Sequence, residues 1–187
     1  MDTVKLSKLA NTIINYSLHL KENDKVSVSF TNEATPLVEE LIKECQKVGA
    51  IMTLSMYDPR LNAKLAEKNT DQRLKHLKKI KEFDVENYDA FIQIRSSIND
   101  YEGKNVPKEM TRKFGAMCQE IDDIRINERE WVLLNYPTDS DAYKAKMKYD
   151  DFYNELNKKN LGHYEVTRAL FSYKCKTITD TFIVKYS

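Results

Sequence analysis

The sequence predicts an α/β fold, a mainly parallel sheet with helices on both faces, in a three-layer, Rossmann-like arrangement. Residues 25–57 read as strand, helix and strand joined by short connections, a βαβ unit that precedent makes parallel and right-handed. Strand patterns recur at 88–95 and 131–136, with helical patterns between them. The run Ala50-Ile51-Met52-Thr53-Leu54-Ser55-Met56-Tyr57 is apolar at most positions, as expected of a strand covered on both faces.

Taken in order, Leu6, Leu9, Ala10, Ile13, Ser17 and Leu20 share one stripe of a helix over about 4–20, which should lie on the sheet. Lys21-Glu22-Asn23-Asp24 is a charged turn into Lys25-Val26-Ser27-Val28-Ser29-Phe30, whose period-two alternation is that of a strand. Thr35-Pro36 offers an N-cap followed by a proline at the first helical position, where its missing N–H costs nothing. Leu37, Val38, Leu41, Ile42, Cys45 and Val48 then line a core face, Glu39, Glu40, Lys43, Glu44 and Lys47 take the other side, and Gly49 ends the helix. Asp58-Pro59 closes the next strand. Residues 62–82 carry Leu65, Leu74, Leu77 and Ile80 on a short and a longer helix, broken near Asn69-Thr70. Tyr88-Asp89-Ala90-Phe91-Ile92-Gln93-Ile94-Arg95 is the third strand, followed by a polar loop over 96–105 of the kind where α/β sheets place ligands. Pro107 opens a helix striped by Met110, Phe114, Met117, Ile121 and Ile124. Trp131 to Tyr136 forms the fourth strand, and a helix with Ala142, Ala145, Met147 and Phe152 occupies about 140–157.

Residues 1–157 therefore read as one α/β domain and 158–187 as a divergent tail. The tail has six basic against two acidic residues, little periodicity, and a short edge strand at Thr181-Phe182-Ile183-Val184-Lys185-Tyr186. With 187 residues the chain holds one good-sized core and not two.

Composition bounds the function class. Thirty basic residues against twenty-nine acidic leave +1, so no long-range field points to nucleic acid or an anionic membrane. No apolar run reaches the roughly 18 residues that span a bilayer, and the opening Met1-Asp2-Thr3-Val4-Lys5 is not a leader, which makes the cytoplasm the expectation. Cys45, Cys118 and Cys175 are too scattered for a disulfide framework or a zinc knuckle and read as reduced packing residues.

The usual signs of catalysis are missing. Thr31-Asn32-Glu33-Ala34-Thr35-Pro36, after the first strand, contains no glycine with which backbone amides could cradle a phosphate. His19, His76 and His163 form no H-x-D, H-x-H or HExxH pair. No serine or cysteine stands in a nucleophile elbow. Lys75, Lys78, Lys79 and Lys81, and the carboxylates Glu120, Asp122, Asp123, Asp150 and Asp151, read as solvated helix faces.

Several segments together resemble the N-terminal domain of the thermophilic-type metallopeptidases, the aminopeptidase T and aminopeptidase S family. They are Asn15-Tyr16-Ser17-Leu18, Asn23-Asp24-Lys25-Val26, Glu33-Ala34-Thr35-Pro36-Leu37-Val38, Gly49-Ala50 and Asp89-Ala90-Phe91-Ile92-Gln93-Ile94-Arg95. To these is added the series Trp131, Pro137, Thr138, Ala142, Ala145, Met147, Asp151 and Phe152. The resemblance runs over about 150 residues and fades near Lys158, and one position departs from it, since Asn23 stands where the family has glycine.

The resemblance implies removal of N-terminal residues from peptides by a hydrolase with two divalent metal ions, zinc or cobalt, held in a C-terminal half. On that reading the chain is a non-catalytic domain truncated before its active site, so no catalytic, cofactor-binding or metal residue is assigned to it. Peptide substrates are expected only if the domain is joined to that half, and a homodimer is a further expectation; nucleic acid and membrane are not. The rival from another class is a free-standing binding or interaction domain that kept the fold. A small enzyme using the loops after Phe30, Tyr57, Arg95 and Tyr136 ranks below both, for want of a nucleophile and base pair.

Overall fold

The structure, a computed structural model, describes residues 3–96, 99, 101–152 and 174–175. A first helix α1 (Thr3–Asn11) runs into a π-helical turn (Thr12–Ser17) and then β1 (Lys25–Phe30). A 3-10 turn (Asn32–Ala34) leads to α2 (Thr35–Val48) and β2 (Ile51–Met56). There follow α3 (Pro59–Ala66), α4 (Asp71–Asn87), β3 (Ala90–Ser96), α5 (Lys108–Glu128), β4 (Glu130–Tyr136), α6 (Asp139–Lys144) and the two-residue β5 (Lys174–Cys175). The strands form one sheet in the order β2-β1-β3-β4-β5. β1 to β4 are mutually parallel, with Val28 opposite both Leu54 and Ile92, whereas β5 runs antiparallel to β4.

Alternation along the strands builds two unequal cores. Val26, Val28, Ala90, Ile92, Ile94, Val132 and Leu134 point to one face, where α1 contributes Leu6, Leu9 and Ala10 and α2 contributes Leu37, Val38, Leu41 and Cys45. Each fully buried Leu, Ile or Val here stabilises by about 1.5–3 kcal/mol relative to exposure. The opposite face is thinner, with Phe91, Val85 of α4 and Ile121 of α5 packed against Tyr88 and Trp131. Tyr88 meets Phe91 edge-on at 6.1 Å, and the Trp131 indole donates to the Ile126 carbonyl at 3.1 Å.

Several expectations are corrected. The second strand is not covered on both faces: β2 is the sheet edge, and Ile51, Leu54 and Met56 are 50, 45 and 63% exposed. An apolar run reports that a strand belongs to a sheet, and its place in the strand order then decides how much of it is covered. Glu40 and Glu44 are buried rather than facing solvent, because α1 packs along α2. Lys43 and Lys47 close on them at 2.6 Å, and the Asn11 amide donates to Glu44 at 3.3 Å. Thr35 is not the N-cap, since the 3-10 turn precedes it and its hydroxyl donates back to the Asn32 carbonyl at 2.6 Å.

The first helix is not uniform to residue 20. It loosens into π geometry over Thr12–Ser17 and ends at His19, which adopts φ +50. The last one is interrupted by Lys146 at φ +57 and resumes over 149–152. On α5, Ile124 is 37% exposed, so the stripe buries chiefly Ile121 and Cys118. The Gly49 signal holds, since it is the left-handed C-cap of α2 at φ +76; the structure adds Asp58 and Thr70 as caps of α3 and α4 and a capping box of Thr138 with Asp141 on α6. The edge strand expected at 181–186 lies outside the described residues, as does most of the tail. Among the described residues no helix is long and apolar enough to cross a membrane.

Candidate functional site

In a parallel sheet the natural place for a ligand is the carboxyl end of the strands. Among the described residues, several polar groups at that edge are bonded to one another or to neighbouring backbone. The Thr31 hydroxyl donates to Ser96 Oγ at 2.6 Å, both side chains being buried. The Tyr57 hydroxyl donates to the Ile94 carbonyl at 3.4 Å, with burial pushing the phenol up. Asp58 accepts from the Arg60 amide at 2.8 Å and pairs with its guanidinium at 3.1 Å, which holds its carboxyl below the ordinary range. Thr138 and Asp141 serve the α6 cap. The segment after β1 is a 3-10 turn, not an amide cradle.

The two described imidazoles do not converge. His19 is exposed at the end of the helical segment on the larger core, and His76 is exposed on α4, across the sheet. His163 lies outside the described residues. Among those described, no group of three or more His, Cys, Asp or Glu side chains could hold a metal ion. Carboxylates near the framework have other partners: Glu44 is drawn below its ordinary range first by its hydrogen bond from Lys47, and Asp122 takes Lys81 at 2.8 and 2.9 Å. A two-metal centre needs several anionic and imidazole ligands around ions about 3.5–4 Å apart. The described residues do not fit one.

The lysines of α4 are only partly a solvated face. Lys78 pairs with Glu82 at 3.2 Å, and Lys81 bridges to α5 while its ammonium stands 5.6 Å from the centre of the Phe114 ring. Glu120, Asp123, Asp150 and Asp151 are exposed, as expected. Cys45 and Cys118 are buried free thiols; burial pushes Cys45 up to about 11 and Cys118 in the same direction.

The thin face of the sheet holds a feature that the sequence reading missed. A cleft of about 300 Å³ opens between α4, α5 and strands β1 to β3. Ser27, Ser29, Ser55 and Gln93 form its floor, Lys81 and Asp84 one wall, Asp122 and Arg125 the other. The signal lay in the alternation itself: on this face β1 and β2 carry the small polar residues Ser27, Ser29, Thr53 and Ser55, where a helix-covered parallel strand normally carries branched apolar residues.

With this frame in place, comparison with known families is decisive. The profile described as thermophilic metalloprotease (M29) matches residues 2–162. The chain belongs to that family. Among solved structures, this M29 chain resembles wild-type AmpT from Thermus thermophilus with a TM-score of 0.57 and 18% sequence identity, over 90% of this chain and 42% of AmpT. At that identity the likeness speaks for the fold, and the M29 chain spans less than half of AmpT's length. A fatty acid ABC transporter substrate-binding protein from Thermomonospora curvata aligns over 90% of this chain and 44% of its own at 10% identity, but with a TM-score of only 0.35. Comparison with curated proteins gave no significant match.

Proposed function

We propose that this M29 chain corresponds to the non-catalytic N-terminal domain of a metal-dependent aminopeptidase, whose two metal ions would be carried by the other half of such a protein. The observation that carries this reading is one of extent: nine-tenths of the chain superposes on 42% of AmpT. The segments resembling the family are those of its N-terminal domain. In this reading residues 1–157 are the domain and 158–187 a divergent tail, the setting is cytoplasmic, and peptide is a substrate only of the joined protein. The domain would wall the substrate cavity and pack against the metal-bearing half. Exposed Leu54 and Met56 at the open edge of β2, and Leu61 and Leu65 on α3, suit such a contact.

The test is to incubate the purified chain with Zn²⁺, Co²⁺ or Mn²⁺ and to assay release of N-terminal residues from short peptides. No release above the metal-only background is expected. Chelator-sensitive turnover that survives repurification overturns the reading.

A second reading, a free-standing binding domain, draws on the cleft and its polar side chains. Genomic sequence beyond Ser187 separates the two. An adjacent frame with paired histidines and carboxylates supports the first, and an unrelated neighbour supports the second.

A further inference from the structure

Helices α4 and α5 lie side by side and run in the same direction, as their cross-links show. Lys113 meets Asp71 at 2.6 Å, Lys81 meets Asp122 at 2.8 Å, and Arg129 Nε donates to the Val85 carbonyl at 3.1 Å. One helical turn beyond the Lys81–Asp122 bridge, Asp84 and Arg125 occupy the corresponding positions with the charges exchanged, and both line the cleft. This second rung is open. Arg125 Nε is buried without a hydrogen-bond partner, and its guanidinium makes only a long ion pair, to Asp122 Oδ1 at 4.0 Å. The Asp84 carboxyl makes no ion pair or side-chain hydrogen bond among the described residues, and burial raises its pKa. Below them Ser27, Ser29 and Ser55 present hydroxyls that likewise have no partner among the described residues.

A cleft with one cation only loosely paired to Asp122, one unpaired carboxylate and a hydroxyl floor complements a molecule carrying both charges. A simple anion meets Asp84 and Asp122, and a simple cation meets Lys81 and Arg125. A divalent metal is disfavoured by the want of three converging ligands among the described residues. We propose that this cleft binds a small zwitterion of the free amino-acid class, with its ammonium group on Asp84, its carboxylate on Arg125 and its polar flank on Ser29 and Gln93.

The experiment is an amide NMR titration of the ¹⁵N-labelled full chain. Glycine and 4-aminobutyrate serve as short and long zwitterions, acetate and methylammonium as one-ended controls. Saturable shifts are expected at 81–85, 91–93 and 122–125 with a zwitterion, and far weaker ones with either control. Asp84→Asn and Arg125→Gln should each weaken binding by at least about tenfold, as loss of a charged hydrogen bond does. Ser29→Val, which suits a strand and fills the floor, should abolish binding while leaving the spectrum elsewhere unchanged. The absence of saturable shifts with both zwitterions, an equal response to acetate alone, or wild-type affinity in the Asp84→Asn/Arg125→Gln double variant overturns the proposal.

Discussion

Gly49 shows how one residue sets the geometry of the central βαβ unit. It holds φ +76 at the end of α2, and an added Cβ would stand 3.0 Å from Glu22 Cγ in the turn before β1. Gly49→Ala should therefore cost about 1–2 kcal/mol, the left-handed penalty for a residue with a Cβ, read as a lower urea midpoint with an unchanged slope. Cys45 makes a different kind of local statement. Its thiol is pushed up to about 11 from 9.0, first by burial and then by the Glu44 charge. The folded chain thus keeps that proton when the unfolded chain has lost it. The corresponding stability is complete below about pH 9 and is lost as pH rises toward about 11. Denaturation midpoints measured across that window should fall for the wild type and fall less for Cys45→Ala. At neutral pH, mass mapping after a maleimide pulse should find Cys45 and Cys118 unmodified in the native chain, since both are buried.

At the scale of elements, β2 and α2 carry the main departures from simple patterning. An edge strand of six residues with no charge and no proline lacks the usual protection against edge-to-edge pairing. Leu54→Lys should suppress concentration-dependent association in sedimentation, while stability changes within about 0.5 kcal/mol, because the site is 45% exposed. A large loss of stability would mean that Leu54 is a core residue after all. In α2, the buried glutamates show that helical polarity can be answered inside a layer when lysines one turn on and an asparagine of α1 complete their shells.

For the molecule as a whole, the unequal cores predict unequal opening. Among the described residues β1, β3 and β4 are flanked by paired strands and support the larger apolar cluster, whereas β2 is bonded on one side only. Native-state hydrogen exchange should find the slowest amides in β1 and β3, with β2 exchanging faster by sub-global opening. Comparable protection in β2 would show that its free edge is covered in solution, by a second copy or by another segment of chain. Although the chain spans less than half of AmpT's length, each described strand pairs with another described strand, and one face of that sheet carries the larger apolar cluster.

Local regularities in the sequence determined the class, the parallel order of elements and most boundaries. Alternation at residues 25–30, the proline at position 36 and Gly49 each act over a few bonds, and local physics reads them without knowledge of neighbours. The family too was legible, because the matching segments keep their order and spacing along the chain. Tertiary structure alone decided that Leu54 and Met56 are left exposed at the sheet edge, that Glu40 and Glu44 lie inside, and that Asp84 and Arg125 line one cleft over a serine floor. These depend on which strand lies at the edge and how α4 sits beside α5. Periodicity tells which residues share a side of an element, but what stands opposite that side is settled by contacts between residues far apart in sequence.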